Sequence, residues 1–166
     1  MSLATVNELP ELDALALFRT CCAAEPWAVG MTEGRPYADA VALHRQADAL
    51  FARLSESDWL QAFAAHPKIG DMSSLQKKYA HTAALAGSEQ AGAQQATADV
   101  LQRLKDGNDA YDRKFGFIFI VCATNKSAAK MLDLLEARLP NTRAQELVNA
   151  AVEQAKITHL RLDKHL

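Results

Sequence analysis

Apolar side chains recur at three- and four-residue intervals through most of this chain, the period of a helix surface and not of a strand. Leu43, Ala47, Leu50, Phe51 and Leu54 share one helical face, and Ala128, Met131, Leu132, Leu135 and Leu139 form a second stripe. A helix with one apolar stripe has to bury it, so several in one chain pack on one another. Composition agrees: 32 of the 166 residues are alanine, the best helix former, against 7 glycines and 5 prolines. Strands deplete alanine, which argues against sandwiches and barrels. The length suffices for a core without metal or disulfide staples. The expectation is an all-α fold, a single-domain irregular multihelical bundle over 1–166 with seven or eight helices.

Breakers and caps divide the pattern. A first helix is expected near Leu12–Cys22, then a breaker-rich loop from Glu25-Pro26 through Gly30 to Arg35-Pro36. Tyr37–Leu54 reads as an amphipathic helix, and Ser57-Asp58 offers an N-cap for a short one ending at Ala64-Ala65-His66. Pro67 disfavours helical geometry in the residue before it. Ser73–His81 is a further short helix, and a long one starts near Ser88 and runs to about Lys105, with Gly107-Asn108 as its stop or kink. Thr142 caps a final helix of more than twenty residues.

One stretch breaks the helical composition. Residues 115–122, Phe-Gly-Phe-Ile-Phe-Ile-Val-Cys, are β-like, yet a lone strand cannot satisfy its backbone in a sheet. The expectation is a buried extended segment among helices.

Charge narrows the partners. The net charge is −2, and the densest basic spots are the pairs Lys77-Lys78 and Arg113-Lys114, so no nucleic-acid partner is expected. No apolar run approaches a membrane span, and the N-terminus lacks the basic and apolar regions of an export signal, so no membrane partner is expected either. Lys164-His165-Leu166 is a poor peroxisomal address. Cys21, Cys22 and Cys122 are an odd number without ligand spacing, which reads as free thiols in a reducing cytoplasm.

Three polar residues stand where a plain bundle does not need them. His66 closes a helix, where it either caps terminal carbonyls or serves as an acid–base group. Glu89 lies in the first turn of a helix, where it either complements the dipole, with Ser88 as N-cap, or acts chemically. Arg161 follows Leu147, Ala150, Gln154 and Ile157 along a largely apolar face, so it calls for a salt bridge, a snorkelling path or a bound anion. His44, His81, His159 and His165 lack HExxH-type spacing, so no metal site is expected. No phosphate loop, nucleophile elbow or dinucleotide fingerprint occurs.

Four motifs in register carry a resemblance. His66-Pro67-x-Ile69-Gly70, Glu89-Gln90-Ala91-Gly92, Tyr111-x-x-Lys114-Phe115-Gly116-Phe117-x-Phe119-Ile120 and Lys156-Ile157-x-x-x-Arg161-Leu162 together resemble the OHCU decarboxylase family, which acts on 2-oxo-4-hydroxy-4-carboxy-5-ureidoimidazoline. The likeness runs from the first helix to Leu162. It implies a cofactor-free decarboxylation in urate breakdown that yields (S)-allantoin, with a small-molecule substrate and a homodimer as the family's compatible assembly. It also implies His66, Glu89 and Arg161 as the catalytic set, and Pro67, Ser88, Gln90, Phe119, Ile120 and Val121 as substrate contacts. The backbone of the β-like stretch gains a purpose in that reading, as a template for a planar, hydrogen-bond-rich substrate. One departure stands out: the family places a serine three residues before the glutamate, and Ala86 stands there, with Ser88 as the nearest cap. The rival readings are a non-catalytic helical interaction module and, ranked lowest, a metal-dependent hydrolase.

Overall fold

In the computed structural model, residues 1–67 and 91–166 are described, with the backbone only for 91–97, and all regular structure among them is α-helical. Eight helices are present there: α1 (Leu3–Glu8), α2 (Glu11–Cys21), α3 (Glu25–Glu33), α4 (Ala40–Ala52), α5 (Glu56–Ala64), α6 (Ala91–Phe115), α7 (Ala128–Arg138) and α8 (Arg143–Asp163). The helix expected over Ser73–His81 and the start expected near Ser88 lie outside the described residues. The chain divides into two compact units, Met1–His66 with Asn149–Leu166, and Pro67–Val148.

The first unit is built on α1–α5 and most of α8. Its core gathers Phe18, Trp27, Met31 and Leu43, with the Phe18 and Trp27 rings edge-on at 6.2 Å. Trp27 satisfies its indole N–H on the Ala47 carbonyl at 3.1 Å. The loop expected at Glu25–Gly30 is instead helix α3. Pro26 sits in the first turn, where no N–H is required, and Gly30 lets α4 approach closely. A Cβ on Gly30 would lie 2.7 Å from Leu50 Cδ2, so this glycine is a packing residue and not a breaker. The α1 helix was too short to show a period. Ser2 caps it, and Arg35 closes its far end by donating to the carbonyls of Val6 (2.9 Å) and Leu9 (2.7 Å). Helix α5 starts at a capping box: the Ser55 hydroxyl accepts from the Asp58 amide, and Asp58 accepts from the Ser55 amide at 3.0 Å.

In the second unit α6 runs through the expected stop at Gly107-Asn108. Gly107 faces Leu135 of α7, where a Cβ would come within 2.6 Å of Leu135 Cδ2, and Asn108 donates to the Leu104 carbonyl at 2.8 Å. The breaker residues serve packing and a buried hydrogen bond, so the helix continues. It ends at Phe115, and Gly116 takes a left-handed φ of 79° with its amide on the Asp112 carbonyl. The non-helical run therefore begins at Gly116, one residue later than the β-like composition suggests. Phe117, Phe119, Ile120 and Cys122 are buried along it, and no strand pairs with it among the described residues. Ser127 caps α7, and Thr142 and Gln145 exchange side-chain and backbone bonds at the start of α8.

A buried ion cluster anchors this unit. Glu146, fully buried, accepts from Tyr111 Oη (2.6 Å), Arg138 Nε (2.6 Å) and Asn141 Nδ2 (2.9 Å). Burial, reinforced by the Glu146 contact, pushes the Tyr111 phenol far up, so it stays a donor.

Candidate active site

His66 follows the last turn of α5, with its amide on the Phe63 carbonyl at 3.1 Å. Its side chain does not turn back to cap the helix. Instead Nε2 lies 2.6 Å from Gln154 Oε1 of α8. A helix C-terminus favours a protonated ring, but burial here favours the neutral form. Burial pushes the His66 pKa down and the Arg161 charge adds to that, against a smaller opposing effect of the Gln154 bond. A half-buried imidazole held neutral near physiological pH is suited to accept a proton.

Arg161 is half-buried on α8 and donates from Nη1 to the carbonyls of Thr20 (3.3 Å) and Cys21 (3.4 Å), at the C-terminal end of α2. These are long bonds to partial charges. Among the described residues no carboxylate pairs with this guanidinium, which leaves its charge available to an anion. Cys21, buried beside it, has its thiol pushed up to about 11 by burial, and Cys22 is raised for the same reason. Neither is a nucleophile at neutral pH.

The first unit thus brings His66 and Arg161 onto one polar patch, with Gln154 and Thr158 between them in the hydrogen-bond order. Sequence reading placed Gln154 on the Arg161 stripe without giving it a role and missed Thr158. Two polar residues four apart on an apolar helix face were the available signal. Pro67 is exposed next to His66. Phe119, Ile120 and Val121 lie in the second unit, where the Ile120 carbonyl accepts from Arg138 Nη1 at 2.7 Å and the Arg138 guanidinium covers the Phe119 ring at 4.7 Å. Among the described residues, no hydrogen bond reaches the amides of Ile118 to Val121. Ser88, Glu89 and Gln90 lie outside the described residues.

A second histidine cluster occupies the first unit. His44 Nδ1 and His159 Nδ1 are 2.5 Å apart, His44 Nε2 contacts Asp163 at 2.7 Å and His159 Nε2 contacts Asp48 at 2.6 Å. Its crossed pairs tie α4 to α8. No group of three or more histidine, cysteine or acidic side chains among the described residues has metal-holding geometry.

Described residues that are helical throughout their regular structure, with a neutral-favoured histidine near an arginine that has no carboxylate partner among them, fit acid–base chemistry on an anionic small molecule. The profile of the OHCU decarboxylase family matches residues 7–163, and the chain belongs to that family. It is 39% identical over 150 residues to the "Uric acid degradation bifunctional protein TTL" of Arabidopsis thaliana, a match over 89% of this chain and 45% of that protein. The chain therefore spans less than half the length of that plant relative. It is 31% identical over 136 residues to the 2-oxo-4-hydroxy-4-carboxy-5-ureidoimidazoline decarboxylase of Amia calva, covering 81% of this chain and 77% of that one. Among solved structures, an OHCU decarboxylase crystallised in the presence of (S)-allantoin superposes with a TM-score of 0.71 at 35% identity, over 89% of this chain and 94% of that chain. No described helix is long and apolar enough to cross a membrane.

Proposed function

We propose that this chain, acting over 1–166 as one OHCU decarboxylase-like domain, converts 2-oxo-4-hydroxy-4-carboxy-5-ureidoimidazoline to (S)-allantoin and CO2 without a cofactor. The observation that carries this reading is the pairing of a neutral-favoured His66 with an Arg161 that has no carboxylate partner among the described residues, in a chain of this family. Loss of CO2 leaves an electron pair on the ring, and the substrate's own adjacent imine takes it up. The protein needs to orient the carboxylate, accept the hydroxyl proton as that oxygen becomes a carbonyl, and let a ring carbon be protonated on one face. Arg161 binds an anionic substrate oxygen. His66, paired with Glu89, moves the proton. Pro67, Ser88, Gln90 and the backbone of Phe119, Ile120 and Val121 contact the ureido and ring polar atoms. The amides of that segment, without partners among the described residues, support this reading.

The same reading takes the protein to be cytoplasmic and homodimeric. The buried thiols of Cys21 and Cys22, outside any disulfide, support a reducing compartment, and sedimentation equilibrium tests the dimer.

The decisive experiment generates the substrate in situ from urate with urate oxidase and the hydrolase that follows it, and records the product by circular dichroism. The chain should accelerate formation of the (S) enantiomer, and His66→Ala or Glu89→Ala should abolish that acceleration. Racemic allantoin formed at the uncatalysed rate with the intact chain would sink the reading.

A further inference from the structure

Helix α8 carries two polar side chains one turn apart in an apolar setting, Gln154 at 1% and Thr158 at 3% exposure. A buried amide is costly unless its donors and acceptor are engaged, so such a pair calls for a reason. The Thr158 hydroxyl lies 2.9 Å from the Gln154 backbone carbonyl and 3.4 Å from the Cys21 carbonyl. Carbonyls only accept, so the single hydroxyl proton is directed to them and the oxygen turns a lone pair to the Gln154 side chain, 3.1 Å away. The Gln154 amide must then present its NH2 to Thr158 and its Oε1 to His66. Oε1 also only accepts, so the 2.6 Å contact requires a hydrogen on His66 Nε2. A neutral imidazole carries one N–H, which places its basic lone pair on Nδ1.

We propose that Gln154 is a positioning residue for His66: oriented by Thr158, it holds the Nε2 proton and leaves Nδ1 as the ring's one proton-accepting atom. The inference rests on the decarboxylase reading for its catalytic consequence and on the hydrogen-bond geometry for its structural one. The depressed His66 pKa agrees with it, since a neutral ring is the state in which a tautomer has to be chosen. The Thr158 hydroxyl and Arg161 Nη1 each lie 3.4 Å from the Cys21 carbonyl, so both side chains meet at the end of α2.

The test uses the full chain labelled with 15N-histidine, and reads the His66 tautomer from two-bond nitrogen–proton correlations at pH 7.5. The wild type should show the Nε2–H form. Gln154→Met, similar in length but without an acceptor oxygen, should give mixed tautomers and lower kcat about tenfold to a hundredfold with KM within about twofold. Gln154→Glu should keep the Nε2–H signature. Its carboxylate favours the imidazolium, so the acidic limb of the kcat profile should move to higher pH. Where Gln154→Met fails to fold, Thr158→Val gives the same reading, because the amide loses the group that orients it. A folded variant of either kind that keeps a pure Nε2–H ring and the wild-type pH profile overturns the proposal. Absence of (S)-allantoin formation in the wild type would remove the decarboxylase reading, and the tautomer contrast would still decide the role of Gln154.

Discussion

Arg138 Nη1 donates to the Ile120 carbonyl at 2.7 Å, while its Nε donates to the fully buried Glu146 at 2.6 Å. One guanidinium therefore neutralises a buried carboxylate and pins the middle of the extended segment. Removing one partner of such a pair is costly because the other stays buried. Arg138→Met should lower the unfolding free energy by about 3–5 kcal/mol in urea titrations. The double variant Arg138→Met with Glu146→Gln should lose less than the sum of the single variants. Equal losses for the sum and the double would show that the two side chains act independently.

Gly107 tests whether packing overrides helix propensity. Alanine in place of a mid-helix glycine ordinarily stabilises by about 0.5–1 kcal/mol. Here the added methyl would lie 2.6 Å from Cδ2 and 3.2 Å from Cγ of Leu135, itself fully buried. Gly107→Ala should therefore destabilise, by about 1–2 kcal/mol in denaturant unfolding, and Leu135→Val in the same chain should recover part of that loss. A more stable Gly107→Ala protein would refute the close approach.

The His66 shift has a defined sign. Its folded pKa lies below the ordinary 6.5, so between 6.5 and the folded value the unfolded chain binds a proton that the folded chain does not. Stability should be unaffected by this group above that window and fall as pH drops through it. Urea unfolding of wild type and His66→Gln should then show the wild type losing more stability from pH 7.5 to 5. In the proposed mechanism the neutral ring accepts the proton, so the acidic limb of kcat/KM should also lie below 6.5.

Cys21 and Cys22 are fully buried, with the Cys21 thiol pushed up to about 11. Iodoacetamide at pH 8 should leave both unmodified in the folded protein and label them once urea unfolds the chain, as read by mass spectrometry. Rapid labelling of either in the native state would contradict their placement.

The helical stripes were legible because burial of one face is written in the spacing: Ala128, Met131, Leu132 and Leu135 are all buried as the pattern requires. The glycines were not legible. Gly30 and Gly107 look like punctuation in a one-dimensional reading, and their role depends on Leu50 and Leu135, which are distant in sequence. His66 and Arg161 were visible as candidates, yet whether the histidine capped its own helix or reached elsewhere could not be decided locally, because its partner stands 88 positions away.

What the sequence by itself determined is the class of fold, the exceptional extended run and the family, since periodicity, composition and motif order are local properties of the chain. The tertiary structure decided the surroundings of the candidate groups. The lowered pKa of His66 and the carbonyl partners of Arg161 depend on which buried dipoles and charges surround a side chain. Those neighbours are chosen by packing between helices, not by spacing along one of them.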